Sequence, residues 1–266
     1  MRLMITRPEW DEIFYHSQQK EGQLKIIGES AAVEKGKVDD VLGELYQAGF
    51  IPTTDYDYDT FQAFRANVHE NFFIFWTAIN PPMEHLLYAL SYILQPKNIL
   101  GIGIFTGNPL VWSLGPAIDH VYEATKLVGV EIDANSARLC QDNMDQVRGD
   151  VPVTILPEDG FDVIDRYDDG EVDLLYLDAN GYDPTDASNA GDRKNSKNIN
   201  YGLVKKAYPK IRPGGFVFCH NACQPSFQRE AADYLVFTAR TDLFEKTATI
   251  GIDEMGLEFS IKLDSF

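Results

Sequence analysis

The stretch Ile99-Leu100-Gly101-Ile102-Gly103-Ile104-Phe105-Thr106-Gly107 decides the fold of this chain. It begins as an apolar strand, turns through glycines and runs into Asn108-Pro109, where we expect a helix with asparagine as its cap. Glycine lets the backbone approach a ligand closely, and the helix that follows presents free N–H groups at its N-terminus. A plain tight turn uses the same residues, so the motif is a weak signal by itself.

Apolar segments alternate with helix-like segments along the rest of the chain. We predict strands over residues 98–104, 127–131, 152–156, 172–178 and 215–220, most of them followed by a helix, the last of these helices over about 227–241. A hairpin over 246–252 and 257–263 closes the chain. Short apolar runs between helices are typical of a parallel sheet buried on both faces. The sequence therefore predicts an α/β protein with a Rossmann-like, doubly wound, seven-stranded sheet that ends in an antiparallel hairpin.

The first 80 residues follow a different pattern. Residues 38–45 carry apolar side chains at helical spacing, residues 53–60 are polar and predict a loop, and residues 61–76 form an aromatic-rich, helix-like segment. We predict a helical N-terminal cap region over residues 1–80 and a ligand-binding domain over 81–266. Exposed aromatic side chains over residues 61–76 would suit a homodimer interface.

Charge and cysteine content restrict the partners and the compartment. The net charge is −18 with a pI of about 4.5, so nucleic acid and anionic membranes are disfavoured as partners, although solubility alone also explains the charge. The three cysteines do not form a disulfide framework, which favours a cytoplasmic protein. Cys219 and Cys223 flank His220, but no second cluster accompanies them, so we favour a buried strand end over a zinc site. Neither a secretory signal nor an apolar run of membrane-spanning length is expected.

Acidic residues follow several predicted strands. Glu131 ends the second strand, where a carboxylate can accept hydrogen bonds from both hydroxyls of a ribose. Asp159 follows the third strand, where it can accept from an adenine amino group or simply lie in a solvated turn. Asp178 ends the fourth strand, beside the point where ligands of open α/β sheets bind.

Taken together, these motifs resemble the class I S-adenosylmethionine (SAM)-dependent methyltransferases, and among them the small-molecule O-methyltransferases of the caffeoyl-CoA and catechol type. The resemblance covers residues 80–266 and rests on 99–107, Val128-Gly-Val-Glu-Ile-Asp133 and Arg212-Pro-Gly-Gly215. It implies that SAM is bound by Gly101, Gly103, Phe105, Thr106, Gly107, Glu131, Asp159 and Asp178.

The chain departs from this family at the reacting end of the site. Gly101 stands where the family has an acid that holds the methionine end of SAM, and Gly181 stands where it has a catalytic lysine. The divalent-cation ligands of the catechol type fall at Asp178, His220 and Asn221, and an imidazole suits Mg²⁺ poorly. We therefore expect no metal, with Asp178 and His220 as catalytic residues; imidazole titrates near neutrality, so His220 is either a base or a structural residue at a strand end.

Two further segments are candidates for the substrate side. Tyr56 and Tyr58 are further candidate catalytic residues. They lie in an alternating Asp-Tyr stretch whose aromatic faces could attract the sulfonium cation of SAM or form an ordinary surface turn. The polar loop over 181–201 contains Arg193, Lys194 and Lys197 and is either a lid or a solvated connection.

Three functions fit these residues. The first is a SAM-dependent methyltransferase that modifies a small molecule. The second is a cyclase that attacks the aminocarboxypropyl chain of SAM, releasing methylthioadenosine and azetidine-2-carboxylate or aminocyclopropane carboxylate. The third is a SAM-binding protein without catalysis.

Overall fold

The computed structural model describes residues 2–6, 18–20, 23–25, 31–75, 79–184 and 196–264. Within these residues the strands are β1 (Arg2–Thr6), β2 (Gln18–Lys20), β3 (Gln23–Lys25), β4 (Asn98–Ile102), β5 (Lys126–Val130), β6 (Val153–Leu156), β7 (Val172–Leu177), β8 (Ile211–His220), β9 (Phe244–Gly251) and β10 (Leu257–Lys262). The helices are α1 (Ala31–Gln47), α2 (Tyr58–Asn71), α3 (Pro81–Leu94), α4 (Asn108–Ile118), α5 (Ala134–Val147), α6 (Gly160–Ile164), α7 (Ile199–Ala207), α8 (Pro225–Glu230) and α9 (Ala232–Thr238).

One mixed sheet organises the chain. Its strand order is β1-β9-β10-β8-β7-β4-β5-β6; β10 is antiparallel to both neighbours and the other pairs are parallel. The seven predicted strands, including the C-terminal hairpin, are therefore confirmed. Connections diverge after β4, which lies between β5 and β7, so the carboxyl ends of β4 and β7 flank the crevice where open α/β sheets bind ligands.

The sheet is buried between two apolar layers. Along β7, Leu174 and Tyr176 face the layer that contains α3 and α4, whereas Leu175 and Leu177 face the layer that contains α7 and α9. Successive strand residues point to opposite faces, so a strand covered on both sides must be apolar throughout. This explains why the strands read as unbroken apolar runs rather than alternating ones.

The N-terminal region is not purely helical. β1 pairs in parallel with β9 and adds an eighth strand at the sheet edge, and β2 pairs with β3 as a separate two-stranded sheet. Arg2 fixes β1 because its guanidinium donates to Leu235 O (2.6 Å) and to the buried Glu258 carboxylate (3.1 Å). Strands of three to five residues carry too little periodicity to be told from loops, which is why the sequence pattern did not indicate them.

Helices α1 and α2 pack onto α3 and share its core. The apolar stripe predicted in residues 38–45 is buried in α1. Phe61, Phe64 and Phe72 are also buried, and Phe61 and Phe64 pack against α3 and α4. Phe73 and Phe75 are half-buried, so exposed aromatic side chains in this segment stay a prediction. A homodimer stays a prediction that these side chains do not support, and the division between residues 80 and 81 likewise stays a prediction.

Two helix boundaries differ from the sequence expectation. Gly107, not Asn108, is the N-cap of α4, because its left-handed backbone (φ 88°) turns the chain into the helix. The helix predicted over 227–241 is divided into α8 and α9 at Ala231 (φ −105°, ψ 32°), where the sequence carries neither glycine nor proline to announce a break. No helix in the described part of the chain is both long enough and apolar enough to span a membrane.

Candidate functional site

The glycine loop between β4 and α4 forms the floor of the crevice. Gly103 has φ 76°, and a Cβ on it would lie 2.5 Å from Ala179 Cα, so only glycine lets the loop lie against the chain that follows β7. Phe105 also adopts a left-handed conformation (φ 50°) and remains 40% exposed. No side chain caps α4, so the N–H groups of its first turn are available at the loop.

Gly101 lies in β4, two residues before Gly103. A Cβ there would meet Ile104 Cγ2 at 3.0 Å and Leu110 Cδ1 at 3.1 Å. Two aliphatic side chains therefore fill the space beside the position at which the resemblance implies an acid. Gly101 is buried beside these side chains, and no carboxylate is present at this position.

Glu131 lies beside the loop, as the sequence predicted. Its carboxylate accepts from the backbone N–H of Phe105 (2.9 Å) and of Asp133 (3.0 Å), while Asp133 caps α5 by accepting from Ser136 N at 2.8 Å. The glutamate therefore joins the glycine loop to the end of β5. The adjacent Ile132 is 71% exposed and adds apolar surface at the same edge.

Asp159 is the N-cap of α6. Its carboxylate accepts from Phe161 N at 2.8 Å, which places it after β6 at the same edge of the sheet as Glu131. The bond explains why an aspartate stands there whether or not a ligand binds. Its contact with an adenine stays a prediction.

Asn143 is a residue that the sequence analysis missed. Its amide donates to Thr106 O (3.0 Å) and Phe73 O (3.1 Å) and accepts from Phe73 N (2.8 Å). Thr106 is itself buried, so the loop is tied to α5 and to the segment that follows α2. The available signal was a polar residue among Cys140, Met144 and Val147 on the buried face of α5.

Asp178 is the centre of a polar network at the carboxyl end of β7. Oδ2 accepts from His220 Nδ1 (3.0 Å), and Oδ1 accepts from Lys197 Nζ (2.7 Å) and from Asn221 Nδ2. Burial alone would raise the pKa of this carboxyl, but Lys197 and His220 outweigh burial through charge and hydrogen bonds and lower it from 3.8 to about 2. Asp178 is therefore a fixed anion and too weak a base to take a proton from a substrate.

Two buried polar atoms lie next to this network without partners. Among the described residues, neither His220 Nε2 nor Asp253 Oδ2 has a hydrogen-bond partner. Asp253 Oδ1 accepts from Met255 N (3.1 Å) and Gly256 N (2.7 Å), and burial raises the pKa of this carboxyl although His220 acts in the opposite direction. Asp253 lies in the turn between β9 and β10, and the sequence analysis took it for an ordinary turn residue.

Lys197 reaches Asp178 because the fold closes the loop that carries it. Gly181 and Ser196 form an antiparallel bridge (N···O 3.2 and 2.9 Å), and the buried Asn200 donates to both Ala179 O (3.0 Å) and Lys197 O (2.9 Å). These bonds place the start of α7 against the end of β7. Arg193 and Lys194 lie outside the described residues.

The predicted catalytic tyrosines are bound into the N-terminal helices. Tyr56 OH lies 2.7 Å from His85 Nε2, and His85 Nδ1 lies 2.9 Å from Glu34 Oε1. Lys35 Nζ lies over both tyrosine rings, at 5.7 Å for Tyr56 and 5.4 Å for Tyr58. Within the described contacts the ring faces therefore meet a lysine of α1, and neither tyrosine contacts the glycine loop or Asp178.

Solved structures share this architecture. A protein described as an O-methyltransferase from Klebsiella pneumoniae matches with a TM-score of 0.56 and 16% identity, over 84% of this chain and 96% of that one. An O-methyltransferase from Bacillus cereus in complex with SAH matches with a TM-score of 0.53 and 18% identity, over 87% and 97% of the two chains. A protein described as a caffeoyl-CoA O-methyltransferase from Staphylococcus aureus matches with a TM-score of 0.53 and 17% identity, over 84% and 98%.

The fold is that of the O-methyltransferases. No protein-family model and no curated protein matches the sequence. Because identities this low establish the fold alone, the reaction must be argued from the residues of the site.

The residues of this chain do not fit the divalent cation that the resemblance to catechol-type enzymes implies. Lys197, His220 and Asn221 all donate to Asp178, so both carboxylate oxygens already accept hydrogen bonds. Among the described residues no group of three or more His, Cys, Asp or Glu side chains is arranged to hold a metal ion. A hard cation needs several oxygen acceptors that converge, and here donors converge instead.

Proposed function

We propose that this protein is a SAM-dependent methyltransferase that modifies a small molecule and works without Mg²⁺. The observation that carries the proposal is the convergence, at one edge of an O-methyltransferase fold, of the glycine loop, the anchored Glu131 and the Asp178–His220 pair. We further propose that residues 1–80 form a cap region beside this edge, where the Phe75 ring lies against Phe105 of the glycine loop, and that the protein acts in the cytoplasm.

The glycine loop and the acids Glu131, Asp159 and Asp178 would hold SAM. Gly103 lets the loop backbone come close to the ligand, and the N-terminus of α4, which no side chain caps, would supply N–H donors. Glu131 is fixed where its carboxylate can accept from ribose hydroxyls. Asp159 would accept from the adenine amino group. SAM supplies a methyl group on a sulfonium, and a chain with net charge −18 attracts a cation of this kind.

His220 is the proposed base. Asp178 is an acceptor only, so the His220 ring presents a protonated Nδ1 to it. Nε2 is then a buried lone-pair acceptor that has no partner among the described residues. Nε2 would accept the proton of the acceptor hydroxyl. Bound SAM would supply its methyl group to that oxygen and leave as S-adenosylhomocysteine. The fixed charge of Asp178 stabilises the imidazolium that results.

Gly101 favours one alternative. With Ile104 and Leu110 beside it, this position offers no carboxylate to the amino end of the methionine moiety, so that end is free to adopt another pose. Intramolecular attack on the aminocarboxypropyl chain would then give a cyclic amino acid and methylthioadenosine. Binding of SAM without turnover would be the third outcome.

Mass spectrometry of the purified protein incubated with SAM alone separates these functions. We expect SAM to bind and stay intact until an acceptor is added, after which S-adenosylhomocysteine forms in proportion to a product heavier by one methyl group. Methylthioadenosine formed without an acceptor, above the spontaneous rate, would replace the methyltransferase by the cyclase. An acceptor screen that compares the wild type with His220→Asn then tests the base. The variant should bind SAM as the wild type does and lose most of its turnover.

A further inference from the structure

We propose that the ammonium group of Lys197 takes the place of a divalent cation at the carboxyl ends of β7 and β8. Its Nζ lies 2.7 Å from Asp178 Oδ1 and 3.3 Å from Asp178 O. The catalytic part of this inference rests on the proposed function. The structural part, that a lysine occupies a cation position, does not.

The chemistry around Asp178 fits an internal cation. A carboxylate that is mostly buried needs a nearby positive charge, and Lys197 supplies it as part of the chain. Asn221 turns its amide nitrogen towards Asp178, which puts its oxygen on the other side, and His220 donates through Nδ1. All three neighbours are therefore oriented for an anion whose counter-ion is already present.

The fold holds Lys197 in this position. The side chain is only 18% exposed, and the Gly181–Ser196 bridge together with Asn200 fixes its backbone. A long flexible side chain that is held in this way has already lost much of its conformational freedom on folding. The ammonium is therefore a fixed charge of the site rather than a solvated surface lysine such as Lys206, which pairs with the 64% exposed Asp165.

The remaining donor of Lys197 defines the class of acceptor. An ammonium has three N–H donors, and among the described residues two oxygens of Asp178 account for two of them. The third can donate a hydrogen bond to the hydroxyl oxygen of the methyl acceptor while that oxygen loses its proton to His220 Nε2 and becomes negative. The methyl acceptor that fits this arrangement is a hydroxyl compound, and Lys197 is a catalytic residue whose ammonium lowers the cost of forming the oxyanion.

Binding of Mn²⁺ alone tests the substitution without any methyl transfer. Titrations followed by electron paramagnetic resonance compare the wild type with Lys197→Ala, with the double variant Lys197→Ala/His220→Asp, and with Lys206→Ala as the matched control. Removal of the ammonium frees Asp178, and the double variant restores a pair of carboxylates beside Asn221. We expect Mn²⁺ affinity to rise roughly tenfold or more in Lys197→Ala, to rise further in the double variant, and to stay at the wild-type level in Lys206→Ala.

Several outcomes would overturn the inference. Wild-type protein that binds Mn²⁺ as tightly as the double variant would show that the lysine does not occupy the cation position. Folded variants whose affinity stays at the wild-type level would show the same, with thermal unfolding as the check on folding. Because this readout needs no SAM, a methyltransferase proposal that fails in the mass-spectrometric test leaves the cation substitution standing, and the reverse also holds.

Discussion

Replacement of Asp178 by asparagine removes the charge around which the site is built. The wild-type carboxyl has a pKa lowered from 3.8 to about 2, and its side chain is 18% exposed, so solvent screens it little. Because the folded-state pKa is the lower one, the stabilisation is complete above the unfolded pKa and is lost as pH falls through the folded pKa. At about 1.4 kcal/mol per tenfold change in acidity, the ionised Asp178 contributes about 2 kcal/mol near neutrality, roughly half of that at pH 3 and almost nothing below pH 2.

Urea unfolding of wild type and Asp178→Asn at several pH values between 3 and 7 measures this contribution. The difference in the free energy of unfolding should be about 2 kcal/mol at pH 7 and should shrink towards pH 3. Asp169→Asn is the matched control, because Asp169 also accepts from a lysine, Lys210, but is 75% exposed; its difference should be small at every pH. A difference for Asp178→Asn that is the same at pH 3 and pH 7 would refute the assignment of Asp178 as a carboxylate held ionised by its neighbours.

Three further substitutions test the cofactor side. Glu131→Ala should weaken SAM binding by roughly 1–3 kcal/mol in calorimetric titrations, whereas Glu171→Ala, at the amino edge of β7, should not; equal affinities would remove Glu131 from the site. Gly103→Ala should lower the melting temperature and abolish SAM binding, because it adds a steric clash with Ala179 to a strained φ of 76°. Gly149→Ala, at φ 58° with no atom within 4 Å of the added Cβ, measures the backbone strain alone. Equal losses of melting temperature in the two variants would contradict the close approach of the loop to Ala179. Asn143→Ala should cost roughly 1–3 kcal/mol of stability in urea unfolding, and an unchanged midpoint would mean that its bonds to Thr106 and Phe73 do not hold the loop.

The strand pattern was predictable because it depends on local composition. The strands that carry the site are buried on both faces, and such strands must be apolar at every position, so β4, β5 and β7 are visible in the sequence. The edge strand β1 is only five residues long and owes its place to Arg2, whose partners Leu235 and Glu258 lie more than 230 positions away in the chain. No local pattern can encode a contact of that separation.

The candidate site divides in the same way. Glu131 and Asp178 follow directly from their positions at strand ends, and the structure finds both at the carboxyl edge. Tyr56 was chosen for its aromatic face, but its hydroxyl lies against His85 and its ring faces Lys35, because α1 and α3 enclose the segment. Asp253 was overlooked because nothing in a turn sequence shows that the turn will be buried next to His220.

The sequence by itself determined the parallel sheet, the glycine loop after β4 and the acids at the strand ends, because burial on both faces and tight turns leave marks on neighbouring residues. Only the tertiary structure decided how the reacting end of the site is built. Lys197 and Asn200 come from the segment that leads into α7, and Asp253 comes from the turn between β9 and β10. The bridge between Gly181 and Ser196 and that turn bring Lys197 to Asp178 and Asp253 close to His220. Which charged groups interact depends on the distance between them in space. That distance becomes short only when the sheet brings the strand ends together.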